Sequence, residues 1–175
     1  MIFERVRLGD ICKFLDSRRV PVTESDRKPG PYPYYGANGQ QGWIDGYLFD
    51  EPLLLLAEDG GNFGSTTRPI AYKVSGKCWV NNHAHVLRPK ARCDLGYLHR
   101  VLSFYDVMPF VSGTTRLKLT KGSAEELPIL LPSLPEQQRI AAILERADRL
   151  RRLGRYALAL SEGYLQAVFV NSSLD

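Results

Sequence analysis

Ser133-Leu-Pro-Glu-Gln-Gln-Arg-Ile140 opens the stretch that organises this chain, and the pattern that begins there continues to about Val170. Ser133 and Glu136 match a capping box, in which the hydroxyl accepts from a first-turn N–H and the carboxylate reaches back to the cap. Pro135 falls in the first turn, where its missing N–H costs nothing. These signals predict a long helix that begins near residue 133.

Apolar side chains follow this start at spacings of three and four residues, which is typical of an amphipathic helix. A helix of roughly 35 residues would be about 50 Å long, too long to wrap inside one domain of this size. Ala147, Gly154 and Ser161 recur every seven residues, so small side chains line one edge and would let another helix approach. We predict that the pairing face consists of Ile143, Ala147, Leu150, Gly154, Ala157, Leu160 and Tyr164.

Two interpretations of this helix are open. It is either a core helix that lies on its own domain, or a helix that finds its partner elsewhere, as in a coiled coil. We favour the second, because Gly154 and Gly163 each cost a helix about 1 kcal/mol relative to Ala and packing against a partner would offset that cost. The predicted domains are a globule over residues 1–132 and a helix over residues 133–175.

The globule has mostly strand signals. Leu53–Ala57 is a continuous apolar run of strand length, which indicates a central strand buried on both faces. The segments 69–74 and 77–87 read as strands, and Ser75-Gly76 between them predicts a hairpin. Asp94 is expected to cap a mid-chain helix. The predicted fold class is α+β, a twisted mixed β-sheet globule with a long C-terminal amphipathic helix.

Three further segments are expected to be loops. Residues 37–42 read as a glycine-rich turn, and residues 58–68 as a polar glycine loop. Residues 113–120 read as a loop followed by an alternating strand. Glu58-Asp59 is interpreted as a turn-capping pair, because adjacent strand residues point apart and suit an acid pair poorly.

Bulk composition limits the function classes. The chain has 175 residues, a formal charge of +4 and no apolar run long enough to span a membrane. The first residues lack a secretory apolar segment, so a cytoplasmic location is expected. Three widely spaced cysteines fit reduced, structural thiols. The basic balance permits a nucleic-acid partner without requiring one.

Motifs of catalysis are missing from the sequence. It has no Gly-x-Gly-x-x-Gly, no phosphate loop and no Gly-x-Ser-x-Gly elbow. Asn/Asp-Pro-Pro-Tyr and Glu-x-Lys are also missing, which argues against an adenine methyltransferase or a metal-dependent nuclease. Cys78, His83, His85 and Cys93 match no common zinc module and are interpreted as satisfied structural residues. We predict a chain with no catalysis, no cofactor and no metal.

Groups that suit DNA recognition concentrate on the predicted loops. Cations bind phosphates, and planar amides or guanidinium groups read base edges. Each loop alone is ambiguous, because Asn38 and Asn62 beside glycines also suit plain turns and Asn82 also suits a strand end. Their joint occurrence on a scaffold without catalytic motifs favours duplex DNA. The predicted DNA-binding residues are Arg18, Arg19, Asn38, Gln40, Gln41, Asn62, Ser65, Thr66, Arg68, Asn82, Thr115, Arg116 and Lys118.

A set of short segments, spread over nearly the whole chain, is specific in combination. The segments are Leu8–Ile11, Arg19–Pro21, Pro33–Gly39, Ile44–Tyr47, Leu54–Gly60, Gly76–Leu87, Leu131–Ile140, Ile143–Leu144 and Asp148–Leu150. In this order they resemble one target recognition domain, with its following helix, from the specificity subunit of type I restriction-modification systems.

The resemblance implies an α+β domain that reads one half of a bipartite site in double-stranded DNA and has no catalysis of its own. It also implies that the long helix pairs with another helix and seats the modification subunits. Those methyltransferase subunits would carry S-adenosylmethionine, and restriction subunits bound through them would carry cleavage and ATP hydrolysis. The competing hypothesis is an adaptor protein whose helix binds partners without any DNA readout.

The chain departs from the usual family pattern of two recognition domains and two helices, since it holds one of each. It is either a half-length subunit that forms a homodimer through its C-terminal helix, or a fragment that lacks its second recognition domain. Arg116 stands where an amide is more usual. Base-contacting positions vary across the family, so no recognised DNA sequence carries over.

Overall fold

The computed structural model describes the backbone of residues 3–172 and the side chains of residues 3–164. The chain divides after Gln138 into two compact units. The predicted fold class is confirmed, because the first unit combines mixed sheets with short helices and a long helix follows. The first two residues of the predicted globule and the last three of the predicted helical domain lie outside the described residues.

Ten strands and four α-helices form the described part of the chain. The strands are β1 (Glu4–Arg7), β2 (Cys12–Phe14), β3 (Tyr32–Gly36), β4 (Gly39–Ile44), β5 (Phe49–Asp50), β6 (Leu53–Ala57), β7 (Ala71–Val74), β8 (Lys77–Val80), β9 (Ala84–Pro89) and β10 (Pro128–Leu131). The helices are α1 (Leu8–Ile11), α2 (Leu95–Ser103), α3 (Lys121–Glu125) and α4 (Leu134–Ser172).

The described strands pair into three sheets. One four-stranded sheet has the order β2-β9-β6-β7 and is antiparallel throughout. The other has the order β4-β3-β8-β5 and is mixed, because β3 and β8 run parallel. A two-stranded antiparallel sheet joins β1 to β10.

One part of the buried core joins the two four-stranded sheets. Leu53 and Leu55 of β6 share one buried cluster with Cys78 and Val80 of β8. On the other face of the same strand, α2 contacts β6 and β7. All five residues of β6 are buried, as predicted, because a pleated strand points alternate side chains to opposite faces and both faces are covered.

Three local expectations are wrong. Ser75-Gly76 does not make a hairpin, because β7 pairs with β6 while β8 joins the other sheet. The segment predicted as one strand over 77–87 is two strands, β8 and β9, separated by Asn81–His83. Residues 113–120 form a loop held by isolated bridges, not a strand. The first two errors share a cause, since local sequence signals do not fix which strand becomes a neighbour in the sheet.

Part of the expected turn at residues 37–42 is a strand. Gly39–Ile44 is β4, which pairs with β3 across a register shift at Tyr34 and Tyr35. Gly39 and Gly42 both have positive φ, so the glycines serve the irregular strand rather than a longer loop.

The expected helix starts are confirmed. The Asp94 side chain accepts from the backbone N–H of Tyr97 and caps α2. Helix α4 begins at Leu134, and the carbonyl of Ser133 accepts from the backbone N–H of Gln137. The described helices include none that is both long and apolar enough to cross a bilayer.

Candidate nucleic-acid interface

Several loops meet where β6 ends. The backbone N–H of Glu58 donates to the carbonyl of His83 at 2.9 Å, and the backbone N–H of Leu119 donates to the carbonyl of Glu58 at 2.7 Å. These bonds bring the loop after β6, the turn before β9 and the loop before α3 to one place. The acidic and basic side chains gathered there form what we call the carboxylate cluster: Glu58, Asp59, Arg19, His83, Arg116 and Lys118.

Glu58 holds two cations. Its Oε2 accepts from Arg19 Nη1 at 2.6 Å, and its Oε1 lies 3.0 Å from Lys118 Nζ. The Glu58 side chain is only 11% exposed, so these two cations replace most of the water around its carboxylate.

Arg19 is committed to the fold. Besides Glu58, its Nη1 donates to the carbonyl of Ala84 at 2.7 Å and its Nε donates to the carbonyl of Asp16 at 3.1 Å. Its side chain is 12% exposed. The structure thus places this predicted DNA-binding residue inside the globule, where most of its donors bind protein acceptors.

Asp59 holds Arg116 and His83 with one oxygen. Its Oδ1 accepts from Arg116 Nη2 at 2.8 Å and lies 2.5 Å from His83 Nδ1. The Asp59 side chain is 15% exposed, whereas that of Arg116 is 59% exposed. The turn-capping interpretation of Glu58-Asp59 is therefore wrong, because both carboxylates bind side-chain cations across the loops.

A buried histidine, His85, lies next to the carboxylate cluster and forms hydrogen bonds with both of its ring nitrogens. His85 Nδ1 lies 2.7 Å from Asp16 Oδ2, and His85 Nε2 lies 2.8 Å from the carbonyl of Leu119. Burial opposes ionisation of Asp16, but bonds from His85 and from the backbone N–H of Val86 outweigh it and keep the pKa of Asp16 below its usual value. His85 is thus a satisfied core histidine, as expected.

Among the described residues, one group has the composition of a metal site: Asp16, Glu58 and His85, whose ligand atoms lie within 4.8 Å of one another. Its atoms are already engaged by Arg19 and by one another. Cys78, weighed as a zinc ligand from sequence, instead belongs to the apolar core.

Amide side chains from the β3–β4 segment adjoin the cluster. Asn38 Nδ2 donates to the carbonyl of Gly60 at 2.9 Å, and Gln41 Oε1 accepts from Asn81 Nδ2 at 3.1 Å. Asn38, Gln41 and Asn82 are exposed, as are Arg116 and Lys118. The fold therefore gathers six of the predicted DNA-binding residues around the end of β6, namely these five exposed ones and the largely buried Arg19.

Other predicted residues lie elsewhere or bind locally. Arg18 donates to the carbonyl of Leu48 at 2.7 Å, stacks on the Phe49 ring at 4.6 Å and lies 3.6 Å from Glu51. Gln40 Nε2 donates to the carbonyl of Gly42, two residues on. Thr115 is exposed in the loop before Arg116.

The loop after the cluster folds on itself. Ser65 Oγ accepts from the backbone N–H of Arg68, and Asn62 Nδ2 donates to the carbonyl of Pro69. Ser65 and Thr66 line an open cavity together with residues 104–106 and 108. Arg68 is exposed.

Comparison with known proteins decides the family. The model of the type I restriction modification DNA specificity domain matches residues 3–156. The chain belongs to this family. The resemblance recognised from the sequence segments is thereby confirmed.

Curated relatives of this specificity domain carry matching names. The type I restriction enzyme specificity subunit S.HindORF215P of Haemophilus influenzae is 36% identical over 143 residues, covering 82% of this chain and 37% of that protein. The EcoprrI specificity subunit of Escherichia coli is 25% identical over 150 residues, covering 84% and 36%. The chain thus spans little more than a third of the length of these relatives.

Solved structures share the fold of the specificity domain. A chain from work on complex assembly and conformational transition of the type I R-M system aligns with a TM-score of 0.71 at 19% identity, over 95% of this chain and 43% of that one. The S subunit of M. genitalium aligns with a TM-score of 0.69 at 15% identity, over 85% and 40%. At these identities the likeness concerns the fold alone.

The side chains predicted to form the pairing face of the long helix are exposed. All seven of its side chains are exposed in the second compact unit, which consists of α4 beyond residue 138. They include Leu150, Leu160 and Tyr164, large apolar groups that soluble proteins normally cover when they recur along one stripe.

Sequence reasoning did not identify the residues that fix the positions of the exposed candidate DNA-binding side chains. Asp59, Gly60 and Gln137 carry no binding motif. From sequence, His83 is considered as a zinc ligand and as one of the polar loop groups, and it is interpreted as a structural residue rather than as a neighbour of Arg116. The available sequence signal for this cluster was a pair of carboxylates, Glu58-Asp59, directly after a buried apolar strand, together with basic residues on other loops. It became informative only once Arg19 and Arg116 were seen beside it.

The cysteines match expectation. Cys12, Cys78 and Cys93 are buried free thiols. Burial raises the pKa of Cys78 to about 11 and that of Cys93 to about 12. These thiols therefore stay protonated near neutral pH and suit packing rather than chemistry.

Proposed function

We propose that the globule over residues 1–132 reads one half of a bipartite sequence in double-stranded DNA, as the specificity component of a type I restriction-modification complex. The observation that carries the proposal is the convergence of exposed amide and cationic side chains around the end of β6, in a member of the DNA specificity domain family.

The cluster suits base reading better than bulk attraction. Its three cations face two carboxylates, so little net positive charge is left to attract phosphates. The carboxylates instead fix the positions of cationic side chains. Amides and guanidinium groups with fixed positions are the groups that discriminate base edges in the major groove. Exposed cations outside the cluster, such as Arg68, would supply phosphate contacts.

Catalysis is assigned to partners. The motifs of methyl transfer, nucleotide hydrolysis and metal-dependent cleavage are missing from the sequence, and the curated relatives are named as specificity subunits. We therefore assign methylation to modification subunits bound to this chain, and cleavage to restriction subunits bound through them.

We assign residues 133–175 to pairing and partner docking. The exposed apolar stripe on the described part of α4 supports this assignment. Its occupant is a second helix, either from another copy of the chain or from a second recognition domain. Two such helices packed antiparallel would place two recognition domains at opposite ends, so a homodimer would read an interrupted palindrome.

Methylome sequencing of cells with and without the chain tests the proposal. We expect at least one bipartite methylation motif to disappear when the chain is removed. Duplex binding by the full chain should also weaken steeply with salt, because phosphate contacts release counterions. A methylome unchanged by removal of the chain would refute the proposed function.

The same stripe favours a second candidate, an adaptor whose helix binds partners while its globule reads no DNA. Under that function, Leu150→Asp would abolish partner binding, whereas Asn38→Ala and Arg68→Ala would leave every methylation motif unchanged. A change of motif in either loop variant would exclude the adaptor.

A further inference from the structure

The backbone around Arg116 is fixed by its own loop. Ser112 and Lys118 exchange two backbone hydrogen bonds, of 2.9 and 2.8 Å, which close the loop at its base. Gly113 has φ +95°, and a Cβ there would lie 2.5 Å from the carbonyl oxygen of Arg116. A larger residue at 113 would therefore collide with the backbone that presents Arg116.

The guanidinium group of Arg116 is fixed from the other side. Its Nη2 donates to Asp59 Oδ1 at 2.8 Å, and Asp59 is largely buried. The group also lies close to Gly60, whose φ is +59° and where an added Cβ would come within 3.3 Å of Nη2. Asp59 and Gly60 thus form a seat for the guanidinium group.

The seated group keeps free donors. An Arg side chain has five N–H bonds, and Asp59 accepts from Nη2 only. Nη2 also lies 3.3 Å from His83 Nδ1, but that nitrogen is already hydrogen-bonded to Asp59 Oδ1, so the second N–H of Nη2 stays free. Within the described residues, Nε and Nη1 have no hydrogen-bond partner, and a fork to one base joins the free N–H of Nη2 to an N–H of Nε or Nη1. Guanine offers two acceptors, O6 and N7, in the major groove, and a bidentate bond from Arg to this pair is the commonest specific contact to DNA.

The other two cations of the carboxylate cluster fit this role less well. Arg19 is 12% exposed and bonded to protein acceptors through Nη1 and Nε. Lys118 is exposed but presents a single ammonium group without the rigid fork of an Arg. Arg116 combines exposure, a fixed position and free donors.

We propose that Arg116 reads a guanine in the half-site and that Asp59 is the positioning residue that holds it for this contact. The proposal rests on the proposed function and specifies the base that one side chain recognises. Asp59 acts by preorganisation, because an Arg that is already ordered loses less side-chain entropy on binding. The half-site must then contain at least one G·C pair whose guanine O6 and N7 are required.

The first test uses motif sequencing in cells that produce the full chain, its Arg116→Ala variant or its Asp59→Asn variant. An Arg–guanine contact discriminates by about 10- to 100-fold against other bases. We expect both variants to relax one G·C position of the motif and to leave the other positions unchanged.

A matched control comes from a second Arg–carboxylate pair. Arg7 Nη2 lies 2.9 Å from Asp10 Oδ1, and the Arg7 side chain is 58% exposed, close to the 2.8 Å from Arg116 to Asp59 and the 59% exposure of Arg116. Arg7 also bonds Glu126 and not the loops of the cluster. Arg7→Ala and Asp10→Asn should leave every motif position unchanged.

The second test needs no protein variant and therefore does not depend on folding of a mutant. The unmodified complex is given its target duplex with 7-deazaguanine, which lacks N7, at each guanine of the half-site in turn. One substitution should lower the methylation rate at least several-fold, and 7-deazaguanine outside the target should have no effect.

The outcomes separate the two proposals. A motif without a G·C pair, a motif unchanged by Arg116→Ala, or full activity with every 7-deazaguanine duplex would overturn the guanine assignment while DNA recognition stands. Relaxation by Arg116→Ala but not by Asp59→Asn would remove Asp59 from its positioning role. A methylome that never depends on the chain would instead refute the proposed function itself.

Discussion

The side-chain oxygen of Gln137 accepts a hydrogen bond from the backbone N–H of Asp94 at 2.8 Å, although 43 residues separate the two in sequence. The side-chain nitrogen of Gln137 donates to the carbonyls of Arg92, at 3.0 Å, and Pro132, at 2.8 Å. Gln137 is fully buried. One amide thus joins the first turn of α4 to the residues just before α2 and satisfies three backbone groups.

We expect Gln137→Ala to destabilise the globule. The bond to Pro132 is buried, whereas those to Arg92 and Asp94 are partly buried. A buried backbone group left without its partner costs about 1–3 kcal/mol, so the free energy of unfolding should fall by about that amount. Chemical denaturation of the full chain measures it. The exposed neighbour Gln138→Ala is the control and should change the free energy by less than about 0.5 kcal/mol. Equal effects would refute the role given to the buried amide.

Arg19→Ala should destabilise the fold far more than Arg116→Ala does. Removing Arg19 leaves the buried Glu58 with Lys118 as its remaining ion-pair partner, and breaking a buried ion pair costs about 3 kcal/mol. The exposed pair of Arg116 with Asp59 should contribute about 1 kcal/mol or less. Denaturation midpoints of the two variants measure the difference. If Arg116→Ala were the more destabilising, the division into a structural and an exposed cation would fail.

Acid should weaken the fold partly through Asp16. Because the folded pKa of Asp16 lies below its usual value of about 4, its ionised form stabilises the fold above that pH. This contribution is lost as the pH falls through the folded pKa. We expect Asp16→Asn to be less stable than the parent at neutral pH and to lose less stability on acidification. The exposed Asp45→Asn variant, measured by the same pH series of denaturation curves, should follow the parent.

Leu150→Asp should block helix pairing without unfolding the globule. Leu150 is 62% exposed, so a charge there costs the isolated fold little but would be buried in a helix pair. Light scattering should give a smaller mass than for the parent, and co-purification of modification subunits should be lost. Arg152→Asp, two residues on and on a different side of the helix, is the matched control. A Leu150→Asp chain that still pairs would refute the pairing face.

Sequence reasoning was most successful where the signals are local. The cap at Asp94, the helix start at Leu134 and the burial of Leu53–Ala57 depend on residues only a few positions apart. It failed at Ser75-Gly76, where the chain bends but the strands on either side belong to different sheets. It also failed for Glu58 and Asp59, whose roles depend on loops that the sheets bring together.

The sequence by itself determined the long helix, the buried central strand, the missing catalytic motifs and the resemblance to a DNA specificity domain. Periodicity, caps and ordered motifs are short-range properties that can be read one segment at a time. Only the tertiary structure decided which cations serve the fold and which stay accessible. Arg19 reaches Glu58 across 39 residues and Arg116 reaches Asp59 across 57, and such pairs depend on the order of strands in the sheets rather than on any local pattern.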